Sequence, residues 1–393
     1  MSPQSLAAGA SASFSFTITN DALTQQLGSV RITAPSGFVI TGAPGAASFT
    51  STSALFLNLA LAPSASATLT VSATAPCSAS SFQWGIVAKQ SNDFNGPPGN
   101  EFQLEPTSAG NIAGTLTGSC SLAFTSGGQP AGTIAGQVIT SSFNSSGGPV
   151  KVEVLDGSGQ LRTSSTAAVA VAIGSNPGSG SLSGTKTADA SGGIALFPNL
   201  SVDNQGIGYT LTATSPGITS GTSQDFTIWG SLTRCPTPSC SVSASSKNAS
   251  ETVTTSSATS GQALGIGLGG VSFSCGSSYQ ETTDPVSFDV LDSSGVAQTS
   301  AQFSVRLEIL KNAVQSSGHS GASTWQICYA STTPFTARSG TSGTAVLGGV
   351  TYHTGLLPDC SIQPAPCVQA RNKDNGDDVV ITFLATGDPV HWA

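Results

Sequence analysis

The stretch VEVLDGSGQLRTSSTAAVAVAI, Val152 to Ile173, returns as FDVLDSSGVAQTSAQFSVRLEI, Phe288 to Ile309, at an offset of 136 residues. Leu155, Asp156, Gly159, Thr163 and Ser164 recur as Leu291, Asp292, Gly295, Thr299 and Ser300, and Val169, Val171 and Ile173 as Val305, Leu307 and Ile309. The recurring apolar positions alternate, as they do on one face of a strand. The Asp-Gly-Ser-Gly or Asp-Ser-Ser-Gly between them is turn chemistry. A duplicated strand-turn-strand predicts tandem β-sandwich modules. A second echo extends the duplication: YTLTAT (Tyr209 to Thr214) matches the end of VVITFLAT (Val379 to Thr386) at an offset of 172, through Thr210, Ala213 and Thr214 against Thr382, Ala385 and Thr386. The offset grows by about 36 residues between the two matches. This growth predicts an insertion near 310–370, tied by cysteines, in the second copy.

Working outward, the chain divides into segments 1–120, 121–229 and 230–393. In the first, Phe14, Phe16 and Ile18 alternate with Ser and Thr, Ala67, Leu69, Val71 and Ala73 share a face, and so do Phe82, Trp84, Ile86 and Ala88. The second offers about seven strands in about 110 residues, the size of an immunoglobulin-type sandwich. Gly208-Tyr209-Thr210-Leu211 has the form of a tyrosine corner, with Leu211 where an antibody domain carries its second Cys. The fold expectation is all-β: three tandem immunoglobulin-like β-sandwich domains placed end to end, the third with a disulfide-tied insertion.

Composition narrows the function classes. Charged residues make up 8% of the 393, against about 25% in an average globular chain. The net charge is −8 and the 12 basic residues are scattered. Phosphate neutralisation needs clustered Lys and Arg, so no nucleic-acid partner is expected. No apolar run approaches the roughly 20 residues of a membrane helix, so no membrane span is expected. The opening MSPQSLAAGASASF has neither a basic nor an apolar leader region, which fits a mature fragment carrying an added Met1.

The eight cysteines are Cys77, Cys120, Cys235, Cys240, Cys275, Cys328, Cys360 and Cys367. An even count beside a hydroxyl-rich surface predicts disulfides and export. Cys77 and Cys120 are alone in segment 1–120 and are expected to bridge, worth roughly 4 kcal/mol in the chain-entropy model. In the third segment the expectation is Cys235–Cys240, with Cys275, Cys328, Cys360 and Cys367 making two more bridges in an order the sequence leaves open.

Residues 121–229 resemble bacterial immunoglobulin-like repeats of secreted and cell-surface proteins, through VEVLDGSGQ, AVAVAIGSNPGSGSLSGT and LSVDNQGIGYTLTATSPG. Residues 1–120 resemble a second such type, through TITN, APSGF and LAPSASATLTVSATA. QWGIVAKQSNDFNGPPGNEF and the cysteine-rich tail look like secreted proteins of high-GC soil bacteria. The resemblance implies a fold and a surface location. It carries no shared catalytic residues, and fold analogy alone gives no function.

Candidate chemistry is sparse. His319, His353 and His391 lack the short paired spacing of a zinc site, and Cys235-x₄-Cys240 reads as a small disulfide loop. No G-x-S-x-G elbow is present, and Asp388 stands three residues before His391 at the chain end. Asn92, Asp93, Asn95, Asn100 and Glu101 form an oxygen-rich loop, read as a hydrated turn in preference to a calcium site. Asn372 to Asp378 is read as an Asn-Gly turn. Trp325, Ile327 and Tyr329 share a strand face; pointing inward they are core, and pointing outward, with Tyr352, they are a candidate ligand platform. No metal or cofactor is expected. The functional expectation is a non-catalytic extracellular structural or adhesive protein, a surface stalk or assembly subunit. The alternatives are a carbohydrate-binding or adhesin module seated on the third segment, a self-assembling sheath or filament subunit, and a secreted hydrolase with accessory domains. Candidate partners are a cell-surface polysaccharide or further copies of the chain.

Overall fold

In the computed structural model the two copies of the repeat begin and end at equivalent positions. Val150–Leu155 and Val286–Leu291 are strands, and Ala168–Ile173 and Gln302–Ile309 are strands ending at the same offset of 136. The structure describes all residues except 97–99, 104–109, 144–146, 236–239, 246–248, 256–261, 269–274, 276–285, 293–301, 318–321, 323–324, 332–334, 336, 340, 348–349, 361–365, 374–377, 387–388 and 393. Among the described residues almost all regular structure is strand; the single α-helix is the seven-residue Lys311–Ser317. No helix among the described residues is long and apolar enough to cross a membrane.

Three large apolar cores form, each from one contiguous stretch. The first runs from Ala8 to Leu116, the second from Leu122 to Ile228 and the third from Cys235 to Ala385. In the first unit, Ser11–Thr19 pairs antiparallel with Ser66–Thr74 over nine residues. Phe14, Phe16, Leu69 and Val71 turn inward, the two phenylalanines onto Trp84, and Ser and Thr turn outward. The alternation through Phe82, Trp84 and Ala88 survives a change of sheet: Ser80–Gln83 pairs with Ala113–Thr117, and Gly85–Lys89 with Ser29–Thr33.

In the second unit one sheet runs in the order Thr187–Asp189, Ala168–Ile173, Leu211–Ser215, Ile218–Thr222, Ser121–Ala123, Val150–Leu155, Ile194–Phe197. Tyr209 is fully buried and its hydroxyl donates to the Asn204 carbonyl at 2.9 Å, which is the bond of a tyrosine corner. In the third unit a seven-stranded sheet runs Ser231–Arg234, Ala263–Leu268, Val286–Leu291, Pro389–Trp392, Cys328–Ser331, Val350–Leu356, Gly343–Leu347. It faces a five-stranded sheet in the order Cys240–Ser245, Ala249–Thr255, Gln302–Ile309, Val379–Thr386, Cys367–Lys373.

The duplication holds for strand pairing and stops short of strand order. Ala168–Ile173 pairs antiparallel with Leu211–Ser215, and Gln302–Ile309 with Val379–Thr386. The partners are Val171 with Ala213 and Leu307 with Ile381, so the structural offset of the second echo is 168 rather than 172. A shift of four leaves every side chain on its original face, so the apolar pattern alone does not distinguish the two registers. The flanking strands differ: Val150–Leu155 lies beside Ile194–Phe197, whereas Val286–Leu291 lies beside Pro389–Trp392. The segment expected as an insertion contributes the strands Cys328–Ser331, Gly343–Leu347 and Val350–Leu356, which widen the larger sheet.

Candidate functional site: two buried junctions

All eight cysteines are joined, as Cys77–Cys120, Cys235–Cys240, Cys275–Cys328 and Cys360–Cys367. Of the two readings left open for the face of Trp325, Ile327 and Tyr329, the structure has the inward one. Trp325 and Tyr329 point into the third core with Ile327, at 7% and 0% exposure, and Tyr352 is 3% exposed in a separate cluster. Ring stacking on a sugar needs an exposed ring face, and none of the three supplies one.

The oxygen-rich loop of the first unit spends its oxygens internally. The two carboxylate oxygens of Asp93 accept from the Asn95 side chain (2.8 Å) and backbone amide (3.1 Å), and these bonds hold its pKa below the usual 3.8. Asn92 accepts from Gln26 at 3.1 Å, and Glu101 pairs with Lys89 at 3.5 Å. Arg31 and Lys89 lie over the ring of Phe94, at 4.2 and 5.0 Å. Among the described residues no group of three or more His, Cys, Asp or Glu is placed to hold a metal. His353 is half-buried on Val350–Leu356. His319, Asp388, residues 374–377 and the side chain of His391 lie outside the described residues.

What the fold does assemble is two junctions between units. The first begins in the repeat's own turn. Asp156 Oδ1 accepts from the Ser158 amide (2.9 Å), the Ser158 hydroxyl (2.6 Å) and the Gln160 amide (3.0 Å), which fixes the turn. Burial pushes this carboxyl's pKa up, and the hydrogen bonds outweigh burial and bring it below 3.8. The fixed turn then meets the first unit: Gly157 N donates to Ala8 O at 2.7 Å. Arg162 donates through Nε to Gly9 O at 3.0 Å and through Nη1 to Cys77 Sγ at 3.4 Å, and burial pulls its guanidinium pKa down. Only Gly118, Ser119 and Cys120 separate Ala113–Thr117 of the first unit from Ser121–Ala123 of the second. Cys120 is tied on both sides: its amide donates to Cys77 O (3.0 Å) and its carbonyl accepts from Thr219 N (3.0 Å). Gly9 has φ +81°, and a Cβ there would strike the Cys120 sulfur, so no other residue fits.

The second junction is apolar. Only Gly230 separates Phe226–Trp229 from Ser231–Arg234, and its amide donates to Ile266 O at 3.0 Å. Trp229, 2% exposed, packs with Phe143, Ala263, Leu291 and Leu232. Gly265 lies under the indole; a Cβ there would fall 2.9 to 3.1 Å from three ring atoms. Leu264 and Ile266 face the third core while Ala263 and Gly265 face Trp229, so Trp229 stands on the outer face of the seven-stranded sheet. The same alternation turns Ile327 and Tyr329 inward and Cys328 and Ala330 outward. Cys328 and Ala330 cluster there with Cys275, Tyr352 and Leu356 against Ile207 of the second unit. The strands of the second unit run between the two junctions, from Gly206 to Ser215 and from Ile218 to Trp229. Its far end is therefore seated on a sheet face, which departs from the end-to-end arrangement expected from the sequence. The inserted strands enlarge that seat.

Sequence reasoning missed Arg162, Trp229 and Ile207. Arg162 had a visible sign: it is a position where the repeat copies differ, with Gln298 in the second.

No family model and no curated protein matches the chain. Among solved structures the chain is similar to FdeC, an Escherichia coli adhesin, at 10% identity and TM-score 0.20, covering 97% of this chain and 91% of that one. It is similar to invasin, a bacterial integrin-binding protein, at 10% identity and TM-score 0.26, covering 96% and 79%. A C-terminal fragment of intimin, solved with the intimin-binding domain of its translocated receptor, matches at 10% identity and TM-score 0.16, covering 61% and 64%. At these scores the fold assignment rests on the strand pairing described above.

Proposed function

We propose that the chain is a non-catalytic, extracytoplasmic spacer of three β domains, 1–120, 121–229 and 230–393, which holds a recognition or attachment surface at a fixed distance and angle. The observation that carries this reading is the pair of linkers. They are three residues and one residue long; Cys120 of the first is hydrogen-bonded from both sides, and the Gly230 amide of the second is bonded to Ile266 of the third unit. Flexible linkers are longer, exposed and free of such contacts. The oxidised cysteines support export, because disulfides persist in oxidising compartments. A sparse charge gives little electrostatic steering and suits a passive surface role. The face offered to a partner is the loop group of the first unit opposite its junction. There buried Asn20 donates to Gln25 O (2.8 Å) and Leu61 O (2.9 Å), pinning a loop that leaves Leu23 93% exposed. Alkylation of the protein on intact producing cells, without reduction, tests the compartment. No labelled cysteine is the expected result, and labelling at two or more positions removes the reading.

Self-assembly has one observation in its favour. Ser11–Thr19 is a nine-residue strand without charge or proline at the edge of its sheet, covered by Ser2 at Ser15, and such edges pair between copies where they are open. Light scattering across a hundredfold range of concentration tests it; a constant monomer mass excludes it.

A further inference from the structure

We propose that Cys77–Cys120 is a latch between the first two units, opened by a dithiol, so that reduction converts a fixed junction into a hinge. The inference rests on the spacer reading and adds a control to it. Neither cysteine belongs to the first unit's apolar core, whose outermost members beside them are Ala75 and Leu116. Both instead touch the second unit. Cys77 Sγ accepts from Arg162, and Cys120, the last linker residue, accepts from Thr219. Gly9 packs on the Cys120 sulfur and its carbonyl accepts from Arg162. The bridge thus fastens the linker to the first unit at the spot where the second unit docks. The repeat supplies an internal comparison: the second copy carries Gln298 at the position of Arg162. In the first copy the arginine serves the docking contact.

Cys120 is fully buried and Cys77 half-buried, so the reductant's thiolate attacks Cys77 Sγ. The Cys77–Cys120 bond breaks, its electron pair leaves on Cys120 Sγ, and that sulfur takes a proton. The second thiolate of the reductant then displaces Cys77 Sγ from the mixed disulfide, and Cys77 takes a proton in turn. The products are two protein thiols and one disulfide in the reductant.

The test is a distance distribution between labels on azide-bearing residues at the exposed positions Leu23 and Leu196, one in each unit. It is recorded for the oxidised full chain, after dithiothreitol, and for the Cys77→Ser/Cys120→Ser and Arg162→Gln variants. Hydrogen exchange at Phe14 and Phe16 is followed in parallel. The expected result is a narrow distribution when oxidised and a broad one after reduction and in the double serine variant, with exchange at Phe14 and Phe16 still slow. The added width is about 10 Å, the reach of a freed three-residue linker at about 5–6 Å × √n. Arg162→Gln broadens the distribution with the bridge intact. A distribution that stays narrow in all four samples overturns the latch. Broadening that accompanies fast exchange at Phe14 and Phe16 also overturns it, because the bridge is then a staple of the first unit. A distribution already broad when oxidised removes the spacer reading itself.

Discussion

Replacing Trp229 with alanine should uncouple the second and third units while leaving the second folded. A tryptophan side chain buries about 200 Å², worth about 5 kcal/mol at about 25 cal/mol/Å². An extended reference chain overstates that figure, and measured Trp→Ala losses run at about 3–5 kcal/mol. Trp229 divides its contacts. Ile134 pairs with it inside the second unit, while Ala263, Leu291 and Gly265 meet it from the third. Assigning about half of the loss to the junction gives about 2 kcal/mol of coupling, or about 30-fold in the population of the opened junction. The reporter is the Gly230 amide, whose hydrogen bond to Ile266 crosses the boundary. Its exchange should accelerate about 30-fold in Trp229→Ala, with the Val305 amide in the third core much less affected. Gly265→Ala approaches the same contact from the other side. Its methyl group would lie 2.9 Å from the indole, and overpacking of this kind costs about 1–3 kcal/mol. Unchanged exchange at Gly230, or equal acceleration at Gly230 and Val305, would refute the reasoning.

Three further outcomes follow from single contacts. Tyr209→Phe removes the hydroxyl that donates to Asn204 and should cost about 1 kcal/mol in denaturant unfolding. Burial holds the Tyr209 pKa above 10.0, so its contribution is complete below pH 10 and is lost as the pH rises through the folded value. The variant should therefore lose part of the wild type's alkaline destabilisation, and identical alkaline profiles contradict this. Asp156 has the opposite sign. Its lowered pKa gives a stabilisation present above the unfolded carboxyl value and lost as the pH falls through the folded one. Asp156→Asn should flatten the acid limb of the stability profile, and an unchanged limb contradicts the account of the turn. Non-reducing peptide mapping should recover Cys77–Cys120, Cys235–Cys240, Cys275–Cys328 and Cys360–Cys367; loss of Cys77–Cys120 or Cys275–Cys328 contradicts the description of the junctions.

The features legible in the sequence were those that repeat or alternate. The repeat located two strands in each copy to the residue at one end, because burial of Val169 and Val171 and of their counterparts Val305 and Leu307 demands the same alternation. Pairing of the echoed strand was legible as well. Its register was not, because Thr and Ala recur within it and a shift of four preserves the faces. Flanking strands were out of reach, since the edge of a sheet is filled by whichever segment the chain brings there. Trp325, Ile327 and Tyr329 show a different limit: alternation says that they share a face and does not say which side is wet. Ile327-Cys328-Tyr329-Ala330 is a run of four apolar residues, the mark of a strand buried on both faces. That run agrees with the outer face being covered by the second unit. The junctions were invisible for a physical reason: each depends on a few side chains, such as Arg162 and Ile207, whose partners lie in another unit and leave no periodic trace.

Backbone relaxation by nuclear magnetic resonance tests the central claim, that the three units are joined without free hinges, most directly. Amides at Phe16, Val152 and Val305, one in each core, should report one shared rotational diffusion tensor for the oxidised chain. Three separate and shorter correlation times, as for beads on a flexible string, would contradict it.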